Sequence, residues 1–507
     1  MIFYVTVALA ISNFTNPVVY ADFADNDVFK GPDSAYYFSA SSFQFSPGAP
    51  ILKSFDLVNW ELIGHSVPSL AGFGPKFEMN GTPPYVSGVW ASTMRYRGST
   101  GMWHWYGCIG FSKSFIYTAA SVTGPWTQAG TINTCFYDCG LLIDDDDKMY
   151  IVYGQTNISI ATLASDGLSI STSAQVFTGP DGHTEEGSRL YKINDYYYVL
   201  GDRPNGTTYV WRSSSIYGNW TYQTLQTGVS SPISGGGLID QGSFIQGPDR
   251  NWYFMSCTWS YPAGRIPILA PITWNNDWPT LAVPGNNWAV SYPFPSTSAA
   301  PQVAWTGTDV FSGTSLREAW EWNFAPDITN FTINNGLTLR TATVTNDLYK
   351  ARNTLTQRTY GPYPVGTAKI DFSGMVDGDS CGLAAFRDSS AWIGIMRSGT
   401  SYNLVQVSDA TQNATNKWST ISNGTISARK SISAGSIYIR VSMDVRPNGA
   451  KSAKFSYSSD GSNFTTFGLT FTLNTTYNYF TGYRYGIFNF ATKSLGGFIK
   501  VISFTSS

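Results

Sequence analysis

Asp25, Asp138, Glu186 and Asp240 each open a segment of one recurring type in the first half of the chain. Trp90 opens a fifth. The segments read ADNDVFKGPDSAYYFSAS, WASTMRYRGSTGMWHWYGCI, DCGLLIDDDDKMYIVYG, EGSRLYKINDYYYVLG and DQGSFIQGPDRNWYFMS. In each, a first strand is followed by a turn, usually rich in Asp or Gly, and then by an aromatic strand. Equivalent positions in a cyclic repeat face one another. Carboxylates that converge in this way are costly, because like charges raise each other's pKa. Proteins keep such clusters for metal binding or proton transfer. Hydrolysis of a glycosidic bond is one reaction that needs them: one carboxyl stays ionised to activate water and another stays protonated to serve the leaving oxygen. A third carboxylate beside the acid can hold its proton in place by repulsion.

The elements that must position these side chains are strands. Short runs such as YYFSAS, KMYIVYG, YYYVLG and NWYFMS are bounded by Gly, Pro, Asn and Asp, and no long amphipathic helix is evident. The repeat recurs every 50 to 65 residues or so, a spacing that suits four-stranded propeller blades. Segments ending in Trp (SFDLVNW, SVTGPW, SIYGNW) close several units. Five units predict a five-bladed β-propeller over 16–292, with the inner strands carrying the acids to one channel mouth. An array of β-sandwiches is the other architecture that fits the repeat alone. The Ser/Pro/Ala-rich stretch 293–308 reads as a linker. Beyond it, 309–507 continues as strands and turns without the blade pattern, which predicts a two-sheet β-sandwich of the lectin-like jelly-roll kind. The fold class expected is therefore all-β.

Composition narrows the partners. A formal net charge of -2 with only 13% charged residues argues against nucleic acid or an anionic membrane. Aromatic residues make up 16%, and such rings either pack β-rich cores or offer flat faces to sugars. Residues 1–10, MIFYVTVALA, read as a signal peptide ending in an A-x-A pattern. Sequons at Asn80, Asn157, Asn205, Asn219, Asn330, Asn413, Asn423, Asn463 and Asn474 also point to a secreted, extracellular protein. The five cysteines leave at least one thiol free or paired between chains, and Cys108 could pair with Cys135 or Cys139. His65, His104 and His183 lie far apart in sequence and no C-x-x-C occurs, so no zinc site is expected. The run Asp144 to Asp147 lacks the spaced ligands of an EF-hand and reads as a solvated turn.

Taken together, these motifs resemble glycoside hydrolase family 43, five-bladed propellers that act by inversion on arabinose- and xylose-containing polysaccharides. NPVVYADFADNDVF and the following YYFSASSFQFSPGAPILKSFDLVNWELIGHSVP look like the first blade of that family. DCGLLIDDDD, EEGSRLYKINDYYYVL and GRIPILAPITW continue the likeness, and FSGTSLREAWEWNF with LTLRTATVTNDLYKARNTLTQR looks like the β-sandwich attached in some subfamilies. The resemblance implies that Asp25 is the general base, Glu186 the general acid, and Asp138 the residue that orients the acid and tunes its pKa. It further implies that Trp90 and Phe43 wall the sugar subsite, that Tyr137 flanks it, and that Arg265 donates hydrogen bonds to sugar hydroxyls. Many members carry a His near the start of the last blade, in some of them tied to a central metal ion. The matching segment here is LIDQGS, so no metal and no cofactor is expected.

On this basis the chain is expected to be an exo-acting, inverting hydrolase that releases terminal α-L-arabinofuranosyl groups from arabinoxylan or arabinan, as fungal-type relatives with a sandwich do. A β-xylosidase acting on xylo-oligosaccharides would use the same three acids. A propeller that binds plant cell-wall polysaccharide without cleaving it is the remaining alternative. A monomer is expected. Plainer readings exist for each residue: a strand-capping turn for Asp25, surface acids for Asp138 and Glu186, core packing for Trp90, and a structural ion pair for Arg265.

Overall fold

A computed structural model of the protein describes residues 13–296 and 299–507. The leader expected over 1–10 lies outside the described residues. Regular structure is almost wholly β, and the helical pieces among the described residues are short 3-10 turns.

Five antiparallel sheets of four strands follow one another along the chain. Their first strands are Asp27–Lys30, Thr93–Arg97, Gly140–Ile143, Glu186–Ile193 and Ile239–Gln246, here assigned to blades I to V. Each of these strands packs against the next, and the fifth packs against the first, so the five sheets close into a ring with their first strands innermost. The aromatic second strands fill the space between blades. Tyr36, Tyr106 and Tyr198, for example, are all buried. Outer-strand tryptophans finish their own turns: Trp60 Nε1 donates to the Leu57 carbonyl and Trp126 Nε1 to that of Val122. The ring is fastened where its ends meet. Asn13–Thr15 pairs with Ser291–Pro293, and the buried Asn16 side chain bonds both the N–H and the C=O of Leu269 on blade V.

Residues 307–506 form two stacked sheets around a continuous apolar core that includes Leu339, Ile393, Val441 and Val501. The sandwich is not merely tethered. Phe45–Ser46, from the first blade's hairpin region, pairs with Trp320–Asn323 and so forms the edge strand of one sandwich sheet. Beside this seam Glu321 is fully buried among His65, Arg358 and Arg484. Burial pushes its carboxyl up, but the two guanidinium groups win and hold it well below the usual carboxylate range. Trp305, in the stretch between the two domains, stacks on Tyr360 with ring centroids 5.7 Å apart.

Cys108 and Cys135 form a disulfide, while Cys139, Cys257 and Cys381 are free and buried. The bridge ties blade II to the segment that leads into Tyr137 and Asp138. The acidic run is a hairpin turn whose charges are paired: Asp144 and Asp145 with Lys192, Asp146 with Lys148, and Asp147 with Arg97.

Candidate active site

A local backbone device aims the acids into the channel mouth. Asp25 (φ 58), Asp138 (φ 46), Gly187 (φ 70) and Gln241 (φ 47) all adopt left-handed conformations where four of the inner strands begin. In blades IV and V the register also slips, between Glu186 and Arg189 and between Asp240 and Ser243. Such bulges re-aim a side chain out of the strand's alternation, and they cluster at functional sites together with strained residues. Gly187 is required twice over: its φ is positive, and an added Cβ would lie 2.9 Å from Cγ of Gln241.

The three acids meet there. Asp25 is buried in a fork, with Arg265 Nη1 donating to Oδ1 at 2.5 Å and Nη2 to Oδ2 at 3.1 Å. Ser41 Oγ donates to the same Oδ2 at 2.6 Å. Asp138 Oδ2 accepts from the Gly187 N–H at 3.2 Å and from Gln241 Nε2 at 3.1 Å. Glu186 Oε2 accepts from the Tyr137 hydroxyl at 3.0 Å. Burial, then repulsion from Glu186 and Asp25, raises Asp138 well above the usual carboxylate range. Burial also raises Glu186, with Asp25 adding to the shift and the Tyr137 hydroxyl opposing it. The two form a coupled pair that keeps a proton to higher pH than an isolated carboxyl would.

All four residues expected around the acids stand beside them. Trp90 faces Tyr137 edge-on at 6.4 Å, and Phe43 lies 5.5 Å from the Arg265 guanidinium. Arg265 makes the ion pair that was its plainer reading. Each of its terminal nitrogens gives one N–H to Asp25 and its Nε is buried without a partner, so it secures this carboxylate while one N–H on each terminal nitrogen stays available. Phe43 is buried at 3% exposure, which leaves little of its ring to form a wall.

The sequence reading missed several neighbours. Phe111, an exposed residue, stacks on Tyr137 at 5.5 Å and meets Trp90 edge-on at 4.5 Å, extending one aromatic side of the mouth. Phe480 comes from the sandwich and lies against Phe43 and Arg265, so the second domain helps build the site. Asp240 had been recognised only as a blade start. It is buried, accepts from Trp259 Nε1 at 2.9 Å, and is pushed by burial to a pKa of about 7. Neither aromatic addition carries a local sequence signal, since each depends on segments distant in the chain.

The adjacent acids separate cleanly. Asp22 accepts the N–H groups of Arg265 and Gly482, and Asp27 binds Arg95 and Thr93. Glu185 turns away from the mouth to accept from Trp211 Nε1. In the LIDQGS segment, Gln241 directs an amide N–H at Asp138. Among the described residues no group of three or more His, Cys, Asp or Glu is arranged to hold a metal. A cleft of about 580 Å³ lies elsewhere, beside Trp305, and Glu61 and Glu318 on its walls are solvent-exposed.

Comparison with known proteins agrees with this architecture. Residues 14–279 match the family model of glycosyl hydrolases family 43, and residues 308–505 match the beta xylosidase C-terminal concanavalin A-like domain. A beta-xylosidase of Formosa agariphila is 28% identical over 97% of this chain and 90% of its own length. A non-reducing end alpha-L-arabinofuranosidase of Bacteroides ovatus is 29% identical over 55% of each. One solved structure superposes with a TM-score of 0.94 at 40% identity, covering 98% of this chain and 100% of that one. It belongs to a family 43 hydrolase engineered to display both endo-xylanase and exo-arabinofuranosidase activity. Ring, sandwich and both family matches lead to one conclusion: the chain is a glycoside hydrolase and belongs to family 43.

Proposed function

We propose that the protein is an exo-acting, inverting hydrolase that removes terminal α-L-arabinofuranosyl groups from arabinoxylan or arabinan. The observation that carries this reading is the contrast between its carboxyls. Asp25 sits in a guanidinium fork, whereas burial raises the carboxyls of the buried Asp138 and the half-buried Glu186 above their ordinary range. In the reaction, Asp25 takes a proton from a water as that water's oxygen bonds to the anomeric carbon. The glycosidic C–O bond breaks with its electron pair going to the leaving oxygen, which receives the Glu186 proton. Asp138 holds the backbone just beyond Glu186 and keeps the proton affinity of the pair high. Trp90, Phe111 and Tyr137 supply the aromatic side against which a pentose ring packs.

The preference for arabinose is supported by the likeness, at 40% identity over nearly the full length, to an enzyme described with exo-arabinofuranosidase activity. Release of β-linked xylose is the second reading, favoured by the beta-xylosidase likeness that spans both domains. Action outside the cell belongs to the same proposal. The sequon residues Asn80, Asn157, Asn205 and Asn219 are all exposed, and the Cys108–Cys135 bridge suits an oxidising compartment.

Incubation with arabinoxylan, arabinan and xylo-oligosaccharides, followed by identification of the free pentose, tests the assignment. Arabinose from the first two supports it; xylose from the third alone replaces it with the xylosidase reading. No pentose from any of them leaves a sugar-binding propeller.

A further inference from the structure

Beneath the three acids lies a charged side chain that the reaction scheme does not use. Arg189 is fully buried, and its guanidinium reaches three blades. Nη2 donates to the Asp25 carbonyl at 2.9 Å and Nε to that of Asn26 at 3.1 Å, both in blade I. Nη1 donates to the Cys139 carbonyl of blade III at 2.8 Å and to its own neighbour Ser188 at 3.0 Å. Asp27 Oδ1 lies 3.8 Å from Nε and supplies a counter-charge. A single side chain touching three blades of a five-blade ring occupies its centre.

The oxygens it gathers are those that the left-handed residues leave behind. Asp25 itself has positive φ, and Cys139 and Ser188 directly follow the left-handed Asp138 and Gly187. A backbone turned in this way swings its carbonyls out of the strand ladder, and buried carbonyls need a donor. The remaining blades join through the same knot. Thr93 Oγ1 and Arg95 of blade II bind Asp27, and Asn26 Nδ2 donates to the Gln241 carbonyl of blade V.

We infer that Arg189 is a positioning residue: an internal guanidinium that occupies the channel centre where some family members use a metal ion, and that fixes Asp25 and Asp138 relative to each other. A cation is needed there because several backbone oxygens and the Asp27 carboxylate converge on a buried point. The residues present favour the guanidinium over a metal. The carbonyl oxygens of Asp25, Asn26 and Cys139 already accept directed N–H groups from Arg189.

The inference rests on the roles proposed for Asp25 and Asp138, and the experiment keeps the two apart. Wild type, R189M, R189K and E186Q are compared for kcat, KM, pH–rate profile and thermal stability, and wild type is analysed for bound metal with and without chelator. With Arg189→Met we expect kcat to fall about 100-fold with a smaller change in KM, since misplacement of a reacting group by an ångström has that effect. Its pH profile should also move upward. Asp138 is faced by Glu186, Asp25, Gln241 and Arg189, and the lost positive charge is one that lowers its pKa. Arg189→Lys, which keeps the charge but not the fork, should restore the position of the profile and only part of kcat.

A folded R189M with kcat within about threefold of wild type and an unmoved profile would overturn the inference. Should neither Arg189 variant fold, the metal analysis decides. Unchanged turnover in chelator with no stoichiometric ion supports an internal cation, whereas one bound divalent ion whose removal abolishes turnover contradicts it. Failure of the catalytic assignment looks different: E186Q would remain active whatever Arg189 does.

Discussion

Asp138 on blade III accepts the backbone N–H of Gly187 on blade IV, so one carboxylate holds the residue that directly follows the other. Because the buried Asp138 and the half-buried Glu186 repel each other when ionised, the last proton leaves the pair only by creating two neighbouring negative charges. Asp138→Asn removes that penalty. The alkaline limb of kcat/KM should therefore move to lower pH, while kcat falls because the Gly187 anchor weakens. A pH–rate profile checks this, and an unmoved alkaline limb would contradict the coupling.

Arg265 uses two nitrogens on the two oxygens of Asp25, a geometry that a lysine cannot reproduce. Arg265→Lys should reduce kcat/KM by about 10- to 100-fold, chiefly through kcat, because the base loses its orientation while the charge remains. Steady-state kinetics decides. A loss confined to KM would instead return Arg265 to the sugar-binding role expected from the sequence.

That contrast marks how far the sequence could be read. That acids from several blades converge was legible from the repeat, which survives without knowledge of the fold, while the choice of Asp25, Asp138 and Glu186 among their acidic neighbours came from the family resemblance. The all-β class was legible for the same reason. For Arg265 two uses stayed open, sugar donor or structural ion pair, since whether a guanidinium faces a ligand or a carboxylate depends on distances of a few ångströms. Phe111 and Phe480 were invisible because the first meets the site through a hairpin tip and the second through the other domain. Arg189 was hidden in a segment quoted for its glutamate, and only ring closure shows that it reaches blades I and III.

Glu185 gives the protein a stability that declines with pH. Burial raises its carboxyl to a pKa of about 7, with the Trp211 N–H opposing the shift. In acid, both folded and unfolded chains carry the proton and the contribution is complete. Between the ordinary carboxylate range and about pH 7 the unfolded chain ionises first, so this contribution is lost across that window. Its size is about 3 kcal/mol by linkage. Glu185→Gln keeps an acceptor for Trp211 and does not titrate, so its melting temperature should fall less than that of wild type between pH 4.5 and 7. Parallel melting curves would remove Glu185 from this role.

Glu321 anchors the sandwich side of the domain seam, with two guanidinium partners from sandwich strands and His65 from the propeller. Its carboxylate is buried between Arg358 and Arg484, with His65 alongside, at the seam where the propeller lends an edge strand to the sandwich. Glu321→Gln leaves two buried guanidinium groups without a counter-charge, a loss of about 3–5 kcal/mol. Activity should fall with stability, because Phe480 and the Gly482 N–H reach the site side from the sandwich. Thermal unfolding followed together with turnover checks this; a destabilised variant with full activity below its transition would show that docking and catalysis are independent.

Replacement of Glu186 by Gln tests the assigned chemistry most directly, because it removes one proton and almost no volume. Turnover of arabinoxylan, whose leaving oxygen needs that proton, should fall by about 10²- to 10⁴-fold. An aryl arabinofuranoside with an acidic leaving group should lose far less, and affinity for arabinose-bearing oligosaccharides should persist. Equal losses on both substrates would deny Glu186 the role of acid, and unchanged turnover on arabinoxylan would contradict the account outright.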